Sequence, residues 1–267
     1  CDYALTLADH VGYRNAGTVE FLMDKQGKFY FIEVNPRIQV EHTVTELVTM
    51  RNLVQYQIRV AQGHKLNDPE IGIKSQKDIE LRGYAIQSRI TTEDPKNNFA
   101  PDFGTIKAYR TAAGFGVRLD AAAGYAGAVI TPHYDSLLVK ISTWGLTFAD
   151  ASRTMHRALQ EFRIRGVKTN IGFLEKVITH PTFLEGACDT SFLDEHPEVF
   201  HLPIKQDRAN KILSLIGHTT VNGYPGIKPE KRLNYRDLRE PEIPEISYGK
   251  QHPRGTRDIL LDKGPKG

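Results

Sequence analysis

Cysteine and long apolar runs are scarce in this sequence, and each scarcity excludes a class of protein. The two cysteines among 267 residues, Cys1 and Cys188, cannot build the disulfide framework of a small secreted protein, and they indicate a reducing compartment. No apolar run approaches the ~20 residues that span a bilayer, and no signal-peptide pattern opens the chain. We therefore expect a cytoplasmic protein without a membrane partner.

Neither sign of charge is in large excess. The formal net charge of +3 is small and dispersed, which argues against a nucleic-acid surface. With 40% apolar and 25% charged residues, the composition is that of an ordinary globular protein, long enough for one large domain or two modest ones. The chain opens on Cys1 in the middle of a helical pattern, so we expect it to be a piece of a longer protein.

A β-hairpin and a helix are predicted in the first quarter of the chain. Residues 18–23 and 28–35 are apolar runs that flank an Asp-Lys-Gln-Gly turn, as in a hairpin. Thr43 and Glu46 have the spacing of a capping box. The apolar stripe that follows predicts one helix from this box to Gly63, where glycine favours a stop.

The middle of the chain alternates like an antiparallel sheet flanked by helices. Residues 81–141 contain several short strands broken by glycine and proline. Thr147 with Asp150 predicts the start of a second helix, and a third is expected from near Thr169 to just before Pro181. The sequence therefore predicts an α+β fold with antiparallel pairing.

The last 46 residues differ in composition from the rest. They hold six of the fourteen prolines and many charges, and they contain too few apolar side chains to order a domain by themselves. We interpret this segment as a linker.

The register of the hairpin carries the first functional signal. A turn centred on Gln26 and Gly27 pairs the strands in a defined way. The predicted pairs are Thr18 with Asn35, Glu20 with Glu33, and Leu22 with Phe31. The opposite face is then apolar throughout and is predicted to be a core face, made of Val19, Phe21, Met23, Tyr30, Ile32 and Val34.

Two opposed glutamates require an explanation. Paired residues lie about 4.5–5.5 Å apart, and like charges at that separation destabilise a sheet. A cation between Glu20 and Glu33 would remove the repulsion, and Mg²⁺ favours carboxylate oxygens and shared phosphates. Asn35 could supply a further oxygen on the same face. The alternative is that both glutamates face solvent.

The residues after the hairpin suggest an anion site. Arg37, Gln39 and Glu41 alternate, so an extended chain would direct them to one side. Arginine offers a planar fork suited to carboxylate or carbonate, and a carboxylate held nearby can act as a general base.

Long stretches of the chain resemble biotin carboxylase, a member of the ATP-grasp superfamily. The run GTVEFLMDKQGKFYFIEVNPRIQVEHTVTE at 17–46 matches its signature, and the resemblance extends over about residues 1–200. Further matching runs are RGYAIQSRITTEDP, GFGVR, TPHYDSLLVKI and RIRGVKTNIGFL. The resemblance implies that residues 1–63 end an ATP-grasp domain and that residues 64–200 form the antiparallel-sheet-and-helix C-terminal domain of biotin carboxylase. Residues 201–267 would be a linker or allosteric region before an absent carboxyltransferase domain.

The resemblance also implies roles for single residues. The residues implied to bind Mg²⁺ (or Mn²⁺) and ATP are Glu20, Leu22, Glu33 and Asn35. The implied bicarbonate site consists of Arg37, Gln39 and the backbone of Val40. Glu41 would be the base that deprotonates bicarbonate, and Arg89 would stabilise the enolate form of biotin.

The implied activity is ATP- and bicarbonate-dependent carboxylation of biotin held on a separate carrier domain. Asn-Pro-Arg at 35–37 and the long tail are similar to the pyruvate carboxylases, which form oxaloacetate. That family implies a homo-oligomer and an acetyl-CoA effector. The alternatives are the carboxylase portion of an acetyl-CoA, propionyl-CoA or urea carboxylase, or a non-catalytic interaction fragment. Because the glycine-rich phosphate loop and ATP-contacting lysines of the family have no counterpart here, the isolated chain is expected to be inactive.

Overall fold

The computed structural model describes residues 1–122, 124–202 and 208–223 together with two short strands further on. The chain divides into two compact units, Cys1–Pro203 and Ile204–Gly267. The helices of the first unit are α1 Asp2–His10, α2 His42–Thr49, α3 Leu53–Ala61, α4 Phe148–Glu161, α5 Ile171–Ile178, α6 Pro181–Leu184 and α7 Phe192–Glu195. Single 3₁₀ turns occupy Gln76–Asp78, Pro95–Asn97 and Pro197–Phe200.

All strand pairs within the described residues are antiparallel. The strands of the first unit are β1 Thr18–Met23, β2 Phe29–Asn35, β3 Tyr84–Thr91, β4 Glu93–Asp94, β5 Ala100–Pro101, β6 Gly104–Thr105, β7 Ala108–Arg110, β8 Val117–Ala121, β9 Val129–Ile130, β10 Leu137–Gly145 and β11 Arg163–Arg165. β1 pairs with β2, and β10 lies between β3 and β8; the remaining pairs are β4–β5, β6–β9 and β7–β11. The predicted α+β class is confirmed.

The core lies on one face of the β3–β10–β8 sheet. Ile90 and Ile141 project from the sheet and pack in one cluster with Met155 and Leu159 of α4, all four fully buried. The hydroxyl of Thr143 on β10 also donates to the Ala151 carbonyl of α4 at 3.0 Å. Since side chains alternate along a strand, the residues between these positions point to the opposite face.

That opposite face is polar, and α2 and the loop before it contact this face. Cross-strand pairing aligns two rows of side chains across the three strands. One row is Arg89, Lys140 and Asp120, and the other is Gln87, Ser142 and Arg118. The sheet therefore has an apolar side against α4 and a polar side, here called the polar platform, against the start of α2.

The single helix predicted from Thr43 to Gly63 is wrong, because two helices occupy this segment. α2 ends where Met50 takes a left-handed conformation with φ of 54°. α3 then starts after Asn52, whose side chain accepts a hydrogen bond from the backbone of Gln55 at 2.8 Å. Asparagine is a favoured N-cap residue, and this local start signal divides the stripe.

The capping box predicted for Thr43 and Glu46 is also wrong. α2 begins at His42, and the Thr43 hydroxyl is buried against the Ser142 hydroxyl at 2.7 Å. The Glu46 carboxylate instead accepts from the backbone N–H of Leu53, the first residue of α3, at 2.6 Å. Tertiary partners have therefore replaced the local capping contacts.

The later helices agree with the sequence. The Thr147 side chain accepts from the backbone of Asp150 at 3.1 Å, as the predicted cap of α4 requires. α5 spans Ile171–Ile178 and ends before Pro181. Among the short strands predicted within residues 81–141, the segment 104–110 forms two, β6 and β7.

The second unit contains α8 Arg208–Asn222 and the antiparallel pair β12 Ile246–Tyr248 and β13 Ile259–Leu261. Of the linker predicted for 201–267, residues 203–207, 224–245, 249–258 and 262–267 lie outside the described residues. The helix α8 was not predicted. No helix within the described residues is long and apolar enough to cross a membrane.

Candidate functional site

The hairpin pairs Glu20 directly with Glu33, and Thr18 with Asn35, as predicted. The predicted pairing of Leu22 with Phe31 is wrong. The register shifts between Glu20 and Phe21, so that the paired sets are Phe21 with Phe31, Leu22 with Tyr30, and Met23 with Phe29. A bulge of this kind inserts one unpaired residue into one strand, and here it lies on β2 between the two pairs, at Ile32.

The bulge also changes the apolar face of the hairpin. Phe29 and Phe31 lie with Phe21, at ring-centroid distances of 6.3 and 6.2 Å. Tyr30, predicted on this face, instead donates its hydroxyl to Asp24 at 3.0 Å. The predicted core face is not buried, since Met23, Ile32 and Val34 are 64%, 47% and 43% exposed. Among the described residues, α1 covers part of it.

The two glutamates share one amide. The Asn35 Nδ2 donates to Glu20 Oε1 at 2.8 Å and to Glu33 Oε1 at 2.9 Å. Gln39 Nε2 donates to the same Glu20 oxygen at 2.9 Å. The structure thus brings together four of the predicted site residues, and amide hydrogens lie where the two carboxylates would otherwise repel each other.

The donor set fits a hard cation. Mg²⁺ and Mn²⁺ favour carboxylate, carbonyl and water oxygens, and the Glu20 and Glu33 carboxylates supply such oxygens from neighbouring strands. Rotation of the Asn35 amide by half a turn would add its carbonyl oxygen. Gln39 Oε1 is buried and has no hydrogen-bond partner in the described part of the chain. A buried acceptor without a partner costs about 1–3 kcal/mol, and a bound cation or hydrogen-bond donor at this oxygen would remove that cost.

Arg37 leaves the hairpin with its guanidinium available. It donates only to the Ile38 carbonyl, at 3.2 Å, and forms no ion pair within the described residues. The side chain is exposed. An exposed arginine fork without a carboxylate partner is a group that can bind a small oxyanion. Leu22, implied to contact the nucleotide, lies on the same hairpin and is 52% exposed.

The structure joins Glu41 to Arg89, a contact that the sequence did not predict. Arg89 Nη2 lies 2.8 Å from Glu41 Oε2, and both side chains are about half exposed, at 52% and 51%. The residue implied to be the base and the residue implied to meet biotin are therefore adjacent, although they are 48 positions apart.

The loop that carries Glu41 is fastened to the polar platform. Lys140 Nζ donates to the Val40 carbonyl at 2.9 Å, and Gln87 Nε2 donates to the same oxygen at 3.0 Å. Gln87 also donates to the Thr43 hydroxyl. Sequence reasoning missed Gln87 and Lys140, although one signal was available. Lys140 is the charged residue inside the otherwise uncharged strand β10.

Two protein-family models match separate stretches of the first unit. The biotin carboxylase C-terminal domain matches residues 87–195, and the ATP-binding domain of the carbamoyl-phosphate synthase L chain matches residues 2–69. Pyruvate carboxylase of Bacillus subtilis is 55% identical over 267 residues, which are 100% of this chain and 23% of that protein. This chain is homologous to the biotin carboxylase region of pyruvate carboxylases.

Solved structures place the same region in the same fold. Pyruvate carboxylase of Rhizobium etli, in a variant with the allosteric activator acetyl coenzyme A, has 48% identity and a TM-score of 0.77, over 94% of this chain and 25% of that one. The biotin carboxylase domain of Hydrogenobacter thermophilus 2-oxoglutarate carboxylase, in complex with MgADP, ADP and bicarbonate, has 44% identity and a TM-score of 0.70. That match covers 74% of this chain and 42% of that one. The chain thus spans about a quarter of the pyruvate carboxylases that it matches.

A buried ion pair anchors α2 of this biotin carboxylase region to the platform. Glu46 is 7% exposed and lies against Arg118, which also contacts Asp120 at 2.9 Å. Arg118→Met removes one partner and leaves the buried Glu46 carboxylate with fewer donors. We expect the free energy of unfolding to fall by about 2 kcal/mol, measured by urea denaturation.

The matched control is Arg153→Met. Arg153 is 77% exposed and pairs with Asp150 on the surface, so its loss should cost less than about 1 kcal/mol. Equal effects of the two variants would show that Glu46 does not depend on Arg118.

Proposed function

We propose that this chain supplies the bicarbonate-activating and biotin-facing part of a biotin carboxylase active site, within a pyruvate carboxylase. The observation that carries the proposal is the continuous arrangement from the Glu20–Glu33 pair, through Arg37 and Gln39, to the Glu41–Arg89 contact. The full-chain similarity to pyruvate carboxylases supports pyruvate as the acceptor and oxaloacetate as the product. It supports an acetyl-CoA, propionyl-CoA or urea carboxylase less well.

The first step activates bicarbonate. Arg37 and the Gln39 amide hold the anion, the backbone of Val40 completes the site, and Glu41 accepts the bicarbonate proton. An oxygen of bicarbonate then attacks the γ-phosphorus of ATP, the bond to ADP breaks, and carboxyphosphate forms. When bound, a divalent cation held by Glu20, Glu33 and Asn35 supplies charge neutralisation for the ATP phosphates. We infer that this cation is Mg²⁺ or Mn²⁺, and that Leu22 lies near the nucleotide.

The second step carboxylates biotin. Carboxyphosphate breaks at its C–O bond into CO₂ and inorganic phosphate. The released phosphate accepts the proton of the biotin ureido nitrogen, and that nitrogen attacks the carbon of CO₂. Negative charge develops on the ureido oxygen, and the Arg89 guanidinium would stabilise it. Its ion pair with Glu41 brings this arginine to the residue that handles bicarbonate, so CO₂ would form close to its acceptor.

Further properties follow by analogy with the family. We propose a biotin carrier domain as partner, a homo-oligomeric assembly and regulation by acetyl-CoA, the activator named for the Rhizobium etli protein. We propose a cytoplasmic location, which the free, exposed Cys1 and Cys188 support. Residues 201–267 would be the linker or allosteric region that leads to the carboxyltransferase domain.

The proposal is tested by bicarbonate-dependent ATP cleavage. The full-length protein is the complete polypeptide of which we expect this chain to be a piece. It should release ADP only when bicarbonate is present, and Glu41→Gln should lower that rate by about a hundredfold or more. The isolated 267-residue chain should show no turnover of ATP, as expected of a non-catalytic fragment. ADP release by the full-length protein that ignores bicarbonate would contradict the proposed function.

A further inference from the structure

Lys140 is a charged side chain buried in the middle of the sheet. It is 9% exposed and lies on β10, where its cross-strand neighbours are Arg89 on β3 and Asp120 on β8. Its ammonium group forms no ion pair among the described residues; its hydrogen bond goes to the Val40 carbonyl at 2.9 Å. The charge is therefore directed at the backbone of the loop that carries Glu41.

The Val40 carbonyl accepts two hydrogen bonds from two different strands. Gln87 Nε2 on β3 donates to it at 3.0 Å, beside Lys140 Nζ on β10. This carbonyl belongs to the peptide group between Val40 and Glu41. Two donors fix the plane of that peptide, and the peptide plane sets the direction in which the Glu41 side chain leaves the backbone.

Burial of an ammonium group is costly. Burial lowers the pKa of Lys140, and the charged groups that face it partly offset one another: Asp120 and Glu46 raise its pKa, whereas Arg118 and Arg89 lower it. A methionine would fill the same space without the desolvation cost. If position 140 served only the stability of the fold, methionine would be the more favourable residue there. We therefore interpret the lysine as a residue that the loop carrying Glu41 requires.

We propose that Lys140 is a positioning residue for bicarbonate activation, which together with Gln87 fixes the Val40–Glu41 peptide and so aims the Glu41 carboxylate at the bound anion. Lys140 acts through this peptide and does not touch the reacting atoms. The inference rests on the proposed function, since it assigns a task to Glu41 that only a bicarbonate-activating site requires.

The test is Lys140→Met in the full-length protein. Displacement of a reacting group by about 1 Å costs on the order of a hundredfold in rate. We therefore expect kcat for bicarbonate-dependent ATP cleavage to fall by about a hundredfold. The KM for ATP should stay within about twofold, because the ATP ligands lie elsewhere and only Glu41 is misdirected. A purely structural role would lower the thermal unfolding temperature without this split between kcat and KM.

The control and a second variant keep the inference testable. Lys168→Met removes an exposed lysine paired with Asp94 and should leave kcat unchanged. If Lys140→Met does not fold, Gln87→Leu removes the neutral donor to the same carbonyl, and it should lower kcat by about tenfold with the KM for ATP unchanged.

Each outcome has a distinct meaning. Unmodified full-length protein without bicarbonate-dependent ATP cleavage would overturn the proposed function itself. If the unmodified protein is active and Lys140→Met or Gln87→Leu has the same kcat as the unmodified protein, the positioning role alone is overturned. A parallel loss of kcat and of apparent ATP affinity would also overturn it, since the site would then have been disrupted as a whole.

Discussion

Replacement of Glu33 by Gln in the full-length protein is expected to lower bicarbonate-dependent ATP cleavage by about a hundredfold and to raise the concentration of divalent metal needed for half-maximal rate. Glu33 lies opposite Glu20 and shares the Asn35 amide with it. A neutral amide at this position preserves the shape of the side chain but removes one of the two negative charges that would hold the cation. Titration with Mg²⁺ and Mn²⁺ measures the shift.

The matched control for this variant is Glu80→Gln. Glu80 is 70% exposed and pairs with Arg82 away from the hairpin, so the metal dependence should not change. Urea denaturation should show that Glu33→Gln folds like the unmodified protein, because Glu33 is exposed on β2. Unchanged metal dependence in Glu33→Gln would mean that the two glutamates simply face solvent.

The second large effect separates Arg37 from Arg89. Arg37→Ala is expected to lower both ATP cleavage and carboxylation of free biotin, since its guanidinium would hold bicarbonate before carboxyphosphate forms. Loss of one charged donor to a developing oxyanion typically costs about a hundredfold to a thousandfold. Arg89→Ala should lower biotin carboxylation by a factor of that size, because the arginine would meet biotin only after carboxyphosphate exists.

Arg89→Ala should also have a small effect on ATP cleavage, and the strength of the Glu41–Arg89 contact determines its size. Both partners are about half exposed, and an exposed ion pair contributes at most about 1 kcal/mol. Arg89→Ala should therefore lower ATP cleavage by no more than about fivefold. Both half-reactions are measured side by side in the full-length protein, with Arg153→Ala as the surface control. If Arg37→Ala and Arg89→Ala lose ATP cleavage and biotin carboxylation in the same ratio, the two arginines do not have the separate roles proposed here.

The sequence was sufficient to predict the paired glutamates but not the bulge beside them. Alternation of polar and apolar residues fixed the pairing of Glu20 with Glu33 near the open end of the hairpin. Towards the turn, the run Phe29 to Ile32 is apolar at every position, so either register presents hydrophobic side chains on both faces of the strand. Such a run specifies register weakly, and the bulge follows from packing with Phe21.

The polar platform could not be predicted, since its contacts join residues far apart in the chain. Thr43 and Glu46 have the local spacing of a capping box, but Ser142 and Arg118 contact them in the folded protein. The helices with isolated signals, such as the cap at Thr147, were predicted correctly because no tertiary partner competes there. Lys140 carried a signal as a charge inside a core strand, but its target at Val40, 100 residues away, required the structure.

Transfer of oxygen-18 from labelled bicarbonate to inorganic phosphate, measured by mass spectrometry in the full-length protein, tests most directly whether this chain builds a bicarbonate-activating site. If a bicarbonate oxygen attacks ATP, the phosphate released from carboxyphosphate keeps that oxygen. We predict one labelled oxygen in each phosphate formed, and we expect Glu41→Gln to lose label transfer in step with ADP release. Phosphate that takes its new oxygen from water, at an unchanged rate of ATP cleavage, would contradict it.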